Sequence, residues 1–95
     1  MKYSVVFSSN ALETYYLILE QLEIRWSAKI AEEFEQRVVK VVNIIQESPF
    51  VYQSVNDKSN IRKGYIHGNC SVLYEVKEDQ IEILLFWDNR QDPIL

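Results

Sequence analysis

The chain has 95 residues, 47% of them apolar and 25% charged, and a formal net charge of −4. That length fills one core and leaves none for a second, so residues 1–95 are expected to form a single domain, one that buries only roughly 60 to 65 per cent of its unfolded surface. The acidic balance excludes a protein that wraps nucleic acid over a broad basic face, because such binding depends on Lys and Arg displacing counterions.

Met1 to Phe7 holds one lysine and then alternates, without the apolar block of a signal peptide, and no later run is long enough to span a membrane. The expectation is a cytoplasmic protein with no membrane partner. Tyr3, Val5 and Phe7 alternate with Lys2, Ser4 and Val6, the period of a strand over residues 2–8. Ser8-Ser9-Asn10 offers helix caps, with Glu13 in capping-box position after Asn10. Leu12, Tyr15, Leu19, Leu22 and Trp26 then recur at helical spacing, which predicts a helix over about residues 10 to 24. Ser27 caps a second helix, with Ile30, Phe34, Val38, Val41 and Ile45 along one face, and Ser48-Pro49 stops it. The short break between the two predicts an antiparallel hairpin.

Residues 50–60 lose all periodicity and read as a loop. Beyond them, Ile61–His67 and Cys70–Lys77 flank Gly68-Asn69, a dipeptide suited to a type II′ hairpin turn, and Ile81–Trp87 follows the polar turn Glu78-Asp79 as a central strand. The order βααβββ predicts an α+β fold, a small, mainly antiparallel four-stranded sheet packed on an α-helical hairpin. With both turns two residues long, Ile61, Tyr65, Val72, Tyr74, Val76, Ile81, Ile83, Leu85 and Trp87 should face the helices. Arg62, Ile66, Ser71, Leu73, Glu75, Glu82, Leu84 and Phe86 should face away. Ile66, Leu73, Leu84 and Phe86 would then form an exposed apolar patch, which with Lys58 is a candidate partner-binding surface. The same register sets Glu75 against Glu82, an unfavourable pair that a bulge would relieve.

Cys70 is the single cysteine and His67 the single histidine, which allows no internal disulfide and no metal-ligand set, so neither metal nor cofactor is expected. His67 reads as a turn residue and Cys70 as a small buried apolar one. Tyr15, Tyr16, Trp26, Tyr65, Tyr74 and Trp87 sit on core faces by their spacing, so they read as packing groups and not as a base-stacking set. Lys58, Arg62 and Lys63 read first as a solvated edge that discourages strand-to-strand aggregation. Arg90, between Asp88 and Asp92, reads by itself as an exposed ion-pairing residue.

The βααβββ order, the basic stretch entering the second strand, Tyr74-Glu75-Val76, and the ending Trp87-Asp88-Asn89-Arg90-Gln91-Asp92-Pro93 together resemble the RelE/ParE toxin superfamily, over essentially the whole chain. The resemblance implies a toxin of a type II toxin-antitoxin pair, related to plasmid stabilisation proteins and neutralised by a cognate antitoxin. Its target would be either DNA gyrase or mRNA on the ribosome. The nuclease reading gives Arg90, Arg62 and Lys63 the role of phosphate contacts in a catalytic site. However, where nuclease members carry an arginine at the start of the third strand this chain has Ser71, and no tyrosine or histidine follows Arg90. The depleted set favours a ParE-like, gyrase-type inhibitor over an mRNA endoribonuclease, and leaves open an attenuated member that only binds an antitoxin.

Overall fold

A computed structural model describes residues 3–57, 59–67 and 69–88. Along the chain run β1 (Ser4–Phe7), α1 (Ser9–Arg25), α2 (Ala28–Glu47), β2 (Ile61–His67), β3 (Cys70–Val76) and β4 (Gln80–Asp88). The strands lie in the order β1-β4-β3-β2, with β1 parallel to β4 and the other pairs antiparallel. The fold is therefore the expected α+β one, a mixed four-stranded sheet covered on one face by a helical hairpin.

Helix α1 begins earlier than the Asn10-Glu13 capping box implies. The Ser8 hydroxyl accepts from the Ala11 amide at 3.0 Å and donates to the Leu84 carbonyl at 2.8 Å, so one side chain caps the helix and ties it to β4. Nearly two turns on, Thr14 Oγ1 accepts from the Phe86 amide at 2.9 Å. Helix α2 is capped by Ser27 as predicted, its hydroxyl accepting from the Ile30 amide at 3.2 Å. It buries Ala31, Phe34, Val38, Val41 and Ile45 against the sheet, whereas α1 fully buries only Ala11. On the sheet side the core is Ile66, Cys70, Val72, Tyr74, Val76, Ile81, Ile83 and Phe86.

Two one-residue irregularities overturn the predicted faces of β2 and of the end of β4. Between β2 and β3 the pairing steps from His67↔Cys70 to Tyr65↔Ser71, which leaves Ile66 as the extra residue. Arg62 and Gly64 thereby share the helix-side face with Tyr74 and Val72, and Ile61, Lys63 and Tyr65 turn to the other. Between β3 and β4 the pairing steps from Tyr74↔Ile83 to Leu73↔Leu85, so Leu84 is extra. Phe86 then enters the core at 3% exposed, while Leu85 and Trp87 turn outward with Leu73 and Ser71. The Glu75↔Glu82 pair stands as predicted; Lys77 Nζ, 3.2 Å from Glu82, offsets part of the repulsion. His67 and Cys70 close the hairpin as expected, but the conformation of Gly68 lies outside the described residues.

The loop after α2 is a strap fixed along the outer edge of β2. Val55 donates to the Ile61 carbonyl at 2.9 Å and Lys63 to the Gln53 carbonyl at 3.2 Å. The Tyr74 hydroxyl donates to the Pro49 carbonyl at 2.7 Å, and Arg62 Nη1 donates to the carbonyls of Phe50 and Tyr52. The Arg62 guanidinium also lies 4.8 Å from the centre of the Phe50 ring. Tyr52 packs so closely on β2 that a Cβ at Gly64 would stand 3.1 Å from its ring and 3.2 Å from Val72 Cγ1.

Gly64→Ala should therefore destabilise the fold by about 1–3 kcal/mol through overpacking, read as a lower denaturant midpoint at unchanged slope. Arg62→Ala should cost about 2 kcal/mol, since hydrogen bonds from a charged donor are lost, and should speed proteolysis within residues 50–55. Burial raises the Tyr74 phenol from its ordinary 10 to about 12. A proton held more tightly in the fold means full stability below pH 10 and its loss as pH climbs through 10 towards 12. Denaturation melts across that window should decline for the wild type and less steeply for Tyr74→Phe, the remaining decline coming from Tyr15, whose phenol burial also raises to about 12.

Candidate functional site

The sheet face turned away from the helices is built from cross-strand rows. Tyr65, Ser71 and Trp87 form one row, Lys63, Leu73 and Leu85 the next, and Ile61, Glu75 and Glu82 the third, with Val6 of β1 beside Glu82. The face thus grades from aromatic through apolar to acidic. Its first two rows, Ile61 of the third and the strap enclose an open cavity of about 520 Å³, lined by Gln53, Ser54, Val55, Ile61, Lys63, Tyr65, Leu73 and Trp87. Tyr65 is more than half exposed, and the Lys63 ammonium lies 5.9 Å from the centre of its ring. Tyr52 meets Tyr65 edge-on at 6.4 Å between centroids, so the strap also orients this aromatic end.

Lys63 and Tyr65 are held here by the β2 irregularity, and Trp87 by the one in β4. Lys63 and Lys77 are the cations of this face among the described residues, and Lys77 is paired with Glu82. Ser71 is fully buried in the row between Tyr65 and Trp87. The arrangement can seat an apolar or aromatic group against Tyr65, Leu73 and Trp87, with Lys63 available to one negative charge.

The residues singled out in the sequence are not brought together as one site. Lys63 and Leu73 line the cavity. Arg62, one residue from Lys63, points to the opposite face and is committed to the strap carbonyls, since adjacent strand residues alternate. Ile66 and Phe86 are core residues at 4% and 3% exposed, and Leu84 is the half-buried extra residue of β4. The expected exposed patch of Ile66, Leu73, Leu84 and Phe86 is therefore corrected: Leu73 alone of the four lines the open-face cavity. Lys58 and Arg90 lie outside the described residues. Ile61, Tyr65 and Trp87, read from the sequence as core, are cavity residues instead; Gly64 between Arg62 and Ile66 was the signal that the even positions of β2 face something close.

Among the described residues no helix is long and apolar enough to cross a membrane, and no cluster of His, Cys, Asp and Glu is arranged to hold a metal ion. His67 Nδ1 accepts from the Asn69 amide at 3.0 Å, which places it in the turn, and Cys70 is buried.

Among functionally curated proteins none matches the chain in sequence. Solved structures share its fold. The chromosomal ParDE TA system from P. aeruginosa includes a chain that superposes with a TM-score of 0.77 at 17% identity, over 92% of this chain and 96% of that one. The toxin-antitoxin complex RelBE2 from Mycobacterium tuberculosis gives 0.61 at 18% identity, over 93% and 99%. The archaeal RelE-RelB complex from Pyrococcus horikoshii OT3 gives 0.65 at 15% identity, over 97% and 100%. At such identities the likeness is one of fold. The sequence itself matches the family model of the ParE toxin of the type II toxin-antitoxin system parDE over residues 5–93, and with that match across nearly its whole length the chain belongs to the ParE toxin family.

Proposed function

We propose that this ParE-family toxin is held inactive by a cognate antitoxin and, once released, inhibits its target by binding protein, with DNA gyrase as the favoured target class. The observation that carries this reading is the charge of the open sheet face. Cutting RNA requires several cations around the scissile phosphate and a group to take the 2′-hydroxyl proton. Among the described residues the face supplies Lys63 and the paired Lys77, together with the carboxylates of Glu75 and Glu82, which repel phosphate. Arg62 is turned away, and a buried Ser71 stands where an additional cation would extend the site.

An apolar floor of Leu73, Trp87 and Ile61 with an exposed tyrosine instead resembles the centre of a protein interface, where aromatic anchors dominate the energy. An antitoxin partner is supported by the relatives of the same fold described as toxin-antitoxin complexes.

Induction of the chain alone should arrest growth of a bacterial host, and co-expression of the small protein encoded beside it should restore growth. Trp87→Ala and Lys63→Glu should also restore growth while leaving the fold intact by circular dichroism, because both act on the open face. Purified protein should block gyrase supercoiling and leave message intact on translating ribosomes. Message cut at the decoding site would replace this reading with a nuclease, and a folded protein that never slows growth would reduce it to antitoxin binding alone.

A further inference from the structure

The open-face cavity joins an apolar lining to one cation, and its walls are set before anything enters it. Leu73 of β3 lies at its middle, with Ile61 and Tyr65 of β2 two residues either side of Lys63, and Trp87 of β4 on the diagonal from Leu73. The strap closes the side, held by edge hydrogen bonds of 2.9 Å from Val55 to Ile61 and 3.2 Å from Lys63 to Gln53. Arg62, Tyr74 and Tyr52 fix the same segment from behind, so a ligand meets a wall that is already ordered.

At about 520 Å³ the cavity has the size of small-molecule sites, which fall roughly between 300 and 1,000 Å³. Tyr65 and Trp87 bring aromatic rings and Leu73 and Ile61 branched aliphatic groups, a lining on which a planar aromatic body buries the most surface. Lys63 decides the charge. Its ammonium lies 5.9 Å from the centre of the Tyr65 ring and makes no ion pair among the described residues, Lys77 being the lysine that pairs with Glu82. Gln53 and Ser54 add neutral donors on the strap side. One cation beside an apolar floor matches one negative charge. The two phosphate charges of a nucleotide would instead be brought towards Glu75 and Glu82 in the next row.

We propose that this cavity is a binding site for a small aromatic carboxylate of one or two rings, its ring laid on Leu73 and Trp87 and its carboxylate held by Lys63. The bound acid competes with the target protein for the open face, a second step that rests on the function proposed above.

The test uses 2-naphthoate as the probe and 2-naphthamide as the same body without the charge, each titrated into the intact protein by calorimetry. Naphthoate should bind with a Kd on the order of 0.1–1 mM, about tenfold more tightly than the amide and than adenosine 5′-monophosphate. In NMR spectra the methyl signals it moves should be those of Val55, Ile61 and Leu73. Lys63→Met should weaken naphthoate about tenfold and leave the amide unchanged, whereas Lys40→Met, the same change in net charge on α2, should alter neither. Trp87→Leu, with folding checked by thermal melts, should weaken both. Absence of naphthoate binding, equal binding of acid and amide, tighter binding of the nucleotide, or naphthoate binding unchanged in Lys63→Met would each overturn the site. A supercoiling assay, at a naphthoate concentration that leaves gyrase alone unaffected, separates the two steps. Relief of the protein's block by naphthoate and not by the amide supports competition, and a block that persists with the site saturated overturns it. If the protein binds naphthoate as expected but never blocks gyrase, the gyrase reading fails and the binding site stands.

Discussion

The architecture depends on side-chain alternation in the sheet being reset twice, once at Ile66 and once at Leu84. A strand has a strict period of two, so one extra residue exchanges everything beyond it between the two faces. The reset at Leu84 is what lets a nine-residue central strand bury Ile81 and Ile83 at one end and Phe86 at the other, and still present Leu85 and Trp87 outward. The reset at Ile66 sends that side chain and Gly64 inward and lifts Lys63 and Tyr65 onto the open face. Without the two, the aromatic and cationic halves of the cavity would point into the helices.

The strap extends the same logic to the sheet edge. Arg62 faces the helix side but lies at the margin of β2, where a charged group needs partners; it finds them in two carbonyls and the face of Phe50. Through that contact, through Tyr74 and Pro49, and through Tyr52 packed on Gly64, the core holds residues 53–55 as one wall of the open-face cavity. A residue that the sequence offered as a ligand for phosphate thus shapes the cavity from behind.

Element order, both helices, the Ser27 cap, the position of the hairpin and the Glu75-Glu82 pairing were legible in the sequence, because periodicity and turn chemistry are local signals. The faces of β2 and of the end of β4 were not, since neither extra residue has a compositional mark: Ile66 and Leu84 are ordinary strand residues. Ser8 was one of three cap candidates that the sequence offered, and the contact that singles it out is not local, as its second partner, Leu84, lies 76 residues away. Ser71 at the start of the third strand was legible, whereas its full burial between Tyr65 and Trp87 was not.

The parallel pairing of β1 with β4 joins the two ends of the described chain, Ser4 meeting Gln80 and Phe7 meeting Ile83. During synthesis the first strand therefore emerges long before its partner exists and must wait, with Val5 unsheltered, until the other described elements have been made. The open face, which borrows Trp87 and Leu85 from that last strand, cannot assemble on a nascent chain any sooner. Of the described elements, the one that completes the open face is thus the last to be made.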